Sequence, residues 1–241
     1  MEKQEEGKKV HNQSPGVYLK LPGVNILLAG PWAVIALVTL LVLILAITYL
    51  VITKTEPRLW ASIGLWMLFI AYWSAAAKNA APTKSAESPA SRQLHQLLMY
   101  AAFLLAFLPV PGLDQRWLPM ASWIEVPIGL AVQVSSALLA VWARRHLGRN
   151  WSAAITAKVD HQLIRTGPYR LVRHPIYSAM LGMFLGTAVV SGRLHGLLAV
   201  VIMAVAYWRK VRLEEEYLRH VFGAEYDDYR QRSWALIPGL L

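Results

Sequence analysis

The sequence predicts an all-α integral membrane protein with five or six transmembrane helices. Two observations predict this class. Hydrophobic residues make up 56% of the 241 residues and charged residues only 16%, whereas about 25% of the residues in a soluble domain are charged. In addition, the apolar residues are gathered into six long segments. The formal charge of +10 could suggest a nucleic-acid partner, but the distribution of the basic residues along the chain indicates otherwise.

The six apolar segments define the predicted helices, because a spanning helix needs about 20 apolar residues. The first, second and fourth segments are long enough to span, and the third is short. The last two are shorter still and are joined by Ser191-Gly192-Arg193. They predict a C-terminal helical hairpin in which either arm can stop short of a full crossing. In chain order the segments are 26–52, 59–77, 94–110, 121–143, 176–190 and 194–208.

The positive charges predict which side each connection faces. In the six-segment layout, 20 of the 24 Lys and Arg residues lie in alternate connections on one side and 4 on the other. Connections rich in Lys and Arg stay in the cytoplasm. Both termini and residues 144–175 are therefore predicted to be cytoplasmic, and the bilayer is the predicted partner rather than nucleic acid.

Three regions follow from this layout. Residues 1–25 are predicted to be a cytoplasmic N-terminal arm, and residues 26–143 to hold transmembrane helices 1–4. Residues 144–241 contain most of the polar chemistry and are the predicted catalytic part. Residues 78–93, which include two prolines and several serines, predict a solvated loop. The chain has no cysteine, GxGxxG, P-loop or HExxH, so no metal site is predicted.

A polar block between the fourth and fifth segments carries the first candidate site. Gly167-Pro168 is a turn signal, and Pro175 is suited to the first turn of the next helix. His174 then stands at the cap of that helix, whose free N–H groups and positive dipole end suit a carboxylate. The alternative interpretation is an ordinary positive-inside loop with aromatic anchors.

A second polar block follows the last apolar segment, around the acidic run at residues 214–216. Lys210 and Glu214 are four residues apart and share a helix face. The helix is predicted to run to about Val221 and to end at Phe222-Gly223. Alone, the block could be a solvated helix with charge pairs. Convergence of both blocks would form a polar pocket at the cytoplasmic face.

These residues resemble the isoprenylcysteine carboxyl methyltransferase family, which is related to phospholipid N-methyltransferases. The resemblance covers about residues 130–232, and the order and spacing of its parts fit. The motifs are Leu147-Gly148-Arg149-Asn150-Trp151-Ser152, His161-Gln162-Leu163-Ile164, Gly167-Pro168-Tyr169, Arg173-His174-Pro175-Ile176-Tyr177, Glu214-Glu215 and Phe222-Gly223-Ala224-Glu225-Tyr226 with Tyr229.

The resemblance implies S-adenosyl-L-methionine as methyl donor. It implies that Lys210 holds the acceptor carboxylate, at a position where the family has arginine. Arg173, which adds charge to the first polar block, is the second predicted catalytic residue. Lysine lacks the bidentate fork of arginine. If the match to the family motif shifts by one residue, Glu215 takes the place of Glu214 as the acid that contacts the cofactor. The implied cofactor contacts are His161, Gln162, Leu163, Ile164, Tyr169, His174, Pro175, Ile176, Tyr177 and Glu214 or Glu215.

The implied acceptor is a lipophilic molecule, foremost the carboxylate of a prenylcysteine-like substrate. A carboxylate is ionised at neutral pH and needs no general base, whereas an amine or thiol does. Phospholipid N-methylation and thiol S-methylation on the same fold remain alternatives. Two further alternatives are an NADPH-dependent membrane reductase and a non-enzymatic lipid-binding protein. The short amino-terminal part is similar to prokaryotic members, which predicts a prokaryotic inner (plasma) membrane.

Overall fold

A computed structural model describes residues 17–21, 24–28, 56–77, 84–85, 87–152, 156–157 and 162–239. The chain divides into two compact units, Met1–Thr53 and Lys54–Leu241. In the first unit, strands β1 (Val17–Leu21) and β2 (Val24–Leu28) pair antiparallel. The predicted N-terminal arm therefore contains a strand, and the segment predicted from residue 26 begins with one. The remainder of that segment, 29–52, lies outside the described residues.

The second unit is built from helices, and the described residues confirm the predicted helical class. It also holds one short antiparallel pair, β3 (Lys84–Ser85) with β4 (Thr156–Ala157). The helices are α1 (Trp60–Ala77), α2 (Pro89–Phe107), α3 (Ser122–Leu147), α4 (Pro175–Ser191), α5 (Leu194–Phe222) and α6 (Ala224–Gln231), with single 3-10 turns at Pro57–Leu59, Gly148–Asn150 and Gly167–Arg170.

Within the part of the chain that the structure describes, three helical stretches are long and apolar enough to cross a membrane. They are Pro57–Ala77, Ser122–Leu147 and Leu194–Phe222, with mean hydropathies of 1.5, 1.8 and 1.4. Helix α4 is apolar but shorter, at 17 residues. Helices α4 and α5 form the predicted C-terminal hairpin, and the protein is an integral membrane protein. The total of five or six spans stays a prediction.

Helix α2 begins earlier than expected. Residues 78–93 were predicted to be loop, but the helix starts at Pro89. Ser88 caps it, because its side-chain oxygen accepts the N–H of Ser91 at 3.2 Å. A serine cap followed by proline at the first helical position is a strong start signal. The last part of the predicted loop is therefore helical.

Helices α3 and α4 approach each other closely through glycines. A Cβ built on Gly186 would lie 2.6 Å from the carbonyl oxygen of Gly129, and one on Gly182 would clash with the Ser136 hydroxyl oxygen. Small residues at a helix contact let two backbones approach within a membrane. The apolar core lies beside this contact, where Trp66 of α1 packs edge-on against Phe184 of α4.

Polar contacts define two opposite ends of the second unit. At one end, Glu125 is fully buried between Arg58 and Arg116. At the other end, Arg144 near the end of α3 donates to the carbonyl of Ala76 at the end of α1, at 2.6 Å. The second end also holds the start of α4, so the helices alternate in direction as the charge pattern requires. It carries the candidate site.

Candidate active site

A cavity of about 780 Å³ opens among the helices at this end. Pockets that bind small molecules have volumes of about 300–1,000 Å³, so this one is large enough for a substantial ligand. One part of its lining is apolar and aromatic, and the other part is polar. The apolar part includes Trp66, Phe69, Met99, Phe103 and Met180, and the polar part includes His95, His174, Tyr177, Lys210 and Glu214.

A tight turn brings Tyr169 to the cavity. Gly167 has a φ of +60°, and a Cβ there would lie 2.7 Å from the ring of His146. Glycine therefore suits both the backbone conformation and the close contact. The His146 ring also lies 2.7 Å from the Thr166 hydroxyl. Burial raises the pKa of Tyr169 well above its usual value, so its phenol stays protonated.

The carboxyl-terminal segment holds the start of α4 in place. The Trp234 N–H donates to the Leu171 carbonyl at 2.9 Å, and the Arg173 N–H donates to the Trp234 carbonyl at 2.8 Å. The N–H of His174 donates to the carbonyl of Ala235 at 3.1 Å. Sequence reasoning missed this contact. The sequence feature that could have indicated it is the apolar run Trp234-Ala235-Leu236, which follows a charged helix.

His174 and Pro175 begin α4 as predicted. His174 is the N-cap residue and Pro175 is the first helical residue. The N–H groups of Tyr177 and Ser178 donate to the His174 carbonyl at 3.0 and 3.1 Å. The Ser178 bond is the first regular bond of the helix, but the Tyr177 N–H belongs to the first turn, so one of the N–H groups predicted to be free for an anion is already used. The ring of His174 instead stacks on the ring of Tyr177, 5.4 Å away and 7° from parallel.

The ring of His174 lies near both neighbouring acids of α5, but their other partners differ. Glu214 lines the cavity, accepts a hydrogen bond from the Tyr177 hydroxyl at 2.6 Å, and lies 3.7 Å from His174 Nδ1. Glu215 instead accepts from Arg173 Nε at 2.7 Å and lies 3.3 Å from Arg230 Nε. Two guanidinium groups therefore neutralise Glu215, and Glu214 is the acid that faces the cavity.

Lys210 lies one helical turn before Glu214 and lines the same cavity. Its Nζ atom is 5.8 Å from the centre of the Tyr177 ring. Arg209, on a different face of α5 as the helical period requires, donates to the Ser91 hydroxyl at 2.8 Å. Arg173 borders the cavity, but its guanidinium also donates to the carbonyl of Arg230 at 3.3 Å. Lys210 and Arg173 thus both border the cavity, and Lys210 is the one that shares a helix face with Glu214.

The structure brings most of the predicted site residues to one cavity. Pro175 is buried behind the lining, and His161 lies outside the described residues. Sequence reasoning missed Tyr207, although it precedes Lys210 by three residues and so shares its helix face. It also missed His95, for which the sequence held no signal. The predicted residues that line the cavity are Gln162, Leu163, Ile164, Tyr169, Arg173, His174, Ile176, Tyr177, Lys210 and Glu214.

Known proteins share the part of the chain that carries this site. A family model described as "Phospholipid methyltransferase" matches residues 124–225. Protein-S-isoprenylcysteine O-methyltransferase B of Arabidopsis thaliana is 32% identical over 151 residues, which are 60% of this chain and 71% of that protein. The protein-S-isoprenylcysteine O-methyltransferase of Saccharomyces cerevisiae is 33% identical over 97 residues, 38% of this chain and 39% of that protein.

A solved structure is also similar. It is that of the eukaryotic intramembrane Ras methyltransferase, an isoprenylcysteine carboxyl methyltransferase, with a TM-score of 0.48 and 21% identity. The match covers 64% of this chain and 54% of that one. The family rests on sequence, since the Arabidopsis relative is matched over 71% of its length at 32% identity. The chain belongs to the isoprenylcysteine carboxyl methyltransferase family of integral-membrane methyltransferases.

Proposed function

We propose that this protein transfers a methyl group from S-adenosyl-L-methionine to the carboxylate of a prenylcysteine-like acceptor at the cytoplasmic face of the membrane. The observation that carries the proposal is the placement of Glu214 and Lys210. The two groups have opposite charge, lie one turn apart on α5, and line one cavity with an apolar part. Such a site suits a cationic donor and an anionic, lipophilic acceptor.

The residues around Glu214 fit the methyl donor. S-adenosyl-L-methionine supplies an electrophilic methyl group on a sulfonium and carries an ammonium group. The Glu214 carboxylate, held by the Tyr177 hydroxyl at 2.6 Å, would pair with that ammonium. The stacked rings of His174 and Tyr177 offer electron-rich faces that attract a cation. Gln162, Leu163 and Ile164 line the same cavity and would complete the binding site.

The residues around Lys210 fit the acceptor. The ammonium of Lys210 would orient an acceptor carboxylate, while the apolar lining takes the prenyl chain. The donor would supply the methyl group, the acceptor carboxylate would become a methyl ester, and the electron pair of the S–CH3 bond would remain on sulfur. The products are a neutral ester and a neutral thioether. No proton moves, so the protein needs to position the reactants and exclude water rather than supply a base.

Phospholipid N-methylation is the second candidate, because the matching family model carries that description. An ethanolamine amine must lose a proton, which requires a base. Lys210 would also repel a cationic headgroup. The carboxylate acceptor therefore suits the charges of this cavity better.

Binding and turnover with the purified protein in lipid vesicles test the proposal. We expect saturable binding of S-adenosyl-L-methionine by calorimetry and none of NADPH. Production of S-adenosylhomocysteine should be fastest with N-acetyl-S-farnesylcysteine, compared with phosphatidylethanolamine and a lipophilic thiol. Binding of NADPH in place of the methyl donor would refute a methyltransferase, and preference for phosphatidylethanolamine would refute the carboxylate acceptor.

A further inference from the structure

His95 is a buried polar residue that the proposed reaction has not used. It lies near the start of α2, outside the residues that match the family model. Only 8% of its surface is exposed, yet it lines the cavity. Its Nδ1 atom is buried without a hydrogen-bond partner among the residues that the structure describes. Such an atom is costly to leave unsatisfied, so a ligand in the cavity is its natural partner.

A series of ring contacts connects His95 to the donor side of the cavity. The ring of His174 stacks on Tyr177 at 5.4 Å, and Tyr177 stacks on Tyr207 at 4.8 Å. The ring of Tyr207 then lies 5.6 Å from that of His95. His95 is thus two rings beyond the tyrosine that holds Glu214. It faces the acceptor side, where the charge of Lys210 acts on it.

The hydrogen bonding of the ring decides what kind of group Nδ1 can meet. The ring makes a hydrogen bond to the main chain of Ala206. In a neutral imidazole, one nitrogen donates and the other accepts. If the nitrogen facing the Ala206 carbonyl carries the proton, Nδ1 is an acceptor. The missing partner is then an N–H or O–H group of the ligand.

We propose that His95 is a specificity-determining residue that accepts a hydrogen bond from the N–H group on the α-carbon of the acceptor. The inference rests on the proposed function. In a prenylcysteine, this nitrogen is bonded to the carbon next to the carboxylate. A carboxylate held by Lys210 would therefore place the nitrogen in the part of the lining that holds His95, whose ring is close enough to feel the charge of Lys210. The contact distinguishes an amino-acid acceptor from a lipid acid that lacks nitrogen.

Two acceptors and two substitutions of similar size test this role. The acceptors are N-acetyl-S-farnesylcysteine and S-farnesyl-3-mercaptopropionate, which lacks the acetylamino group. A neutral hydrogen bond predicts a preference of about 3- to 10-fold in kcat/KM for the first acceptor. His95→Leu should abolish that preference. His95→Asn, whose amide oxygen can take the place of Nδ1, should retain it.

A control and a second readout separate the outcomes. Leu97→Ala, on the exposed face of the same helix, should keep the wild-type preference. Affinity for S-adenosyl-L-methionine should be unchanged in all three variants. A wild-type enzyme that methylates both acceptors equally, or a His95→Leu variant that keeps the preference, overturns the inference. A wild-type enzyme that methylates neither carboxylate overturns the proposed function instead.

Discussion

Tyr177 of α4 donates a 2.6 Å hydrogen bond to the carboxylate of Glu214 on α5. The tyrosine is itself fixed, because its ring stacks between His174 and Tyr207. The acid is therefore oriented before any ligand binds. A charged group that is already in position loses little conformational freedom on binding, which suits the recognition of a cationic donor.

The first prediction concerns this acid. Glu214→Ala should weaken the binding of S-adenosyl-L-methionine by more than about tenfold, because a hydrogen bond to a charged group contributes about 1.5–3 kcal/mol. Tyr177→Phe keeps the ring stack and should weaken binding by a smaller factor, about threefold, because it removes one hydrogen bond to the acid. Calorimetry on the solubilised protein measures both. Glu216→Ala is the control, since that side chain is exposed. Equal affinities in all variants would place the donor elsewhere.

The second prediction concerns the neighbouring acid, whose role is structural. The side chains of Glu215 and Arg173 are only 12% and 9% exposed. Removing one partner of a buried pair costs about 3–5 kcal/mol, so Glu215→Gln should lower the free energy of unfolding by that order. Chemical denaturation in detergent gives the value.

An exposed ion pair provides the control for this loss. Asp228 and Arg232 have side chains 45% and 76% exposed, and exposed pairs contribute about 0–1 kcal/mol. Asp228→Asn should therefore leave the stability almost unchanged. If Glu215→Gln had an effect as small as Asp228→Asn, Glu215 would not hold the start of α4.

The third prediction concerns Lys210. Lys210→Ala should lower kcat/KM for the acceptor and leave the affinity for S-adenosyl-L-methionine nearly intact. Lys210→Arg should keep or raise activity on a prenylcysteine carboxylate, because arginine can bind both carboxylate oxygens. Steady-state kinetics with both substrates varied separates the two effects. Arg212→Ala is the control, since that guanidinium lies 5.1 Å from the Trp208 ring and is not part of the cavity lining. Unchanged turnover in Lys210→Ala would make Lys210 a solvated helix charge.

The fourth prediction concerns topology. The charge pattern predicts that residues 144–175 face the cytoplasm. The chain has no cysteine, so single cysteines can be placed freely. Arg170→Cys should react with a membrane-impermeant thiol reagent only after cells are opened. Gln115→Cys, exposed in the connection between α2 and α3, should react in intact cells. The reverse pattern would invert the orientation.

The sequence predicted the parts of the fold that depend on local signals. Pro175 and Gly223 mark a helix start and a helix end that the structure confirms. The hairpin at Ser191-Gly192-Arg193 was also correct, because two apolar runs joined by three residues leave few alternatives. The start of α2 was missed, since serines and prolines suggest a loop unless the cap at Ser88 is recognised.

Long-range contacts of the site could not be predicted in the same way. Lys210 and Glu214 are one turn apart, so their common face follows from the helical period. Periodicity cannot reveal that Glu215 pairs with Arg173, 42 positions away. It also cannot reveal His95, whose helix lies outside the resemblance and meets the cavity only through tertiary packing. The partners of these buried groups had to come from the structure.

The position of the transferred methyl group shows whether the protein methylates a carboxylate. The purified protein in vesicles would be given S-adenosyl-L-methionine labelled in its methyl group, together with N-acetyl-S-farnesylcysteine. Base hydrolyses a methyl ester to methanol, whereas methyl groups on nitrogen or thioether sulfur remain attached. We predict that base releases the label in the product as volatile methanol. Label that enters the lipid fraction and resists base would contradict it.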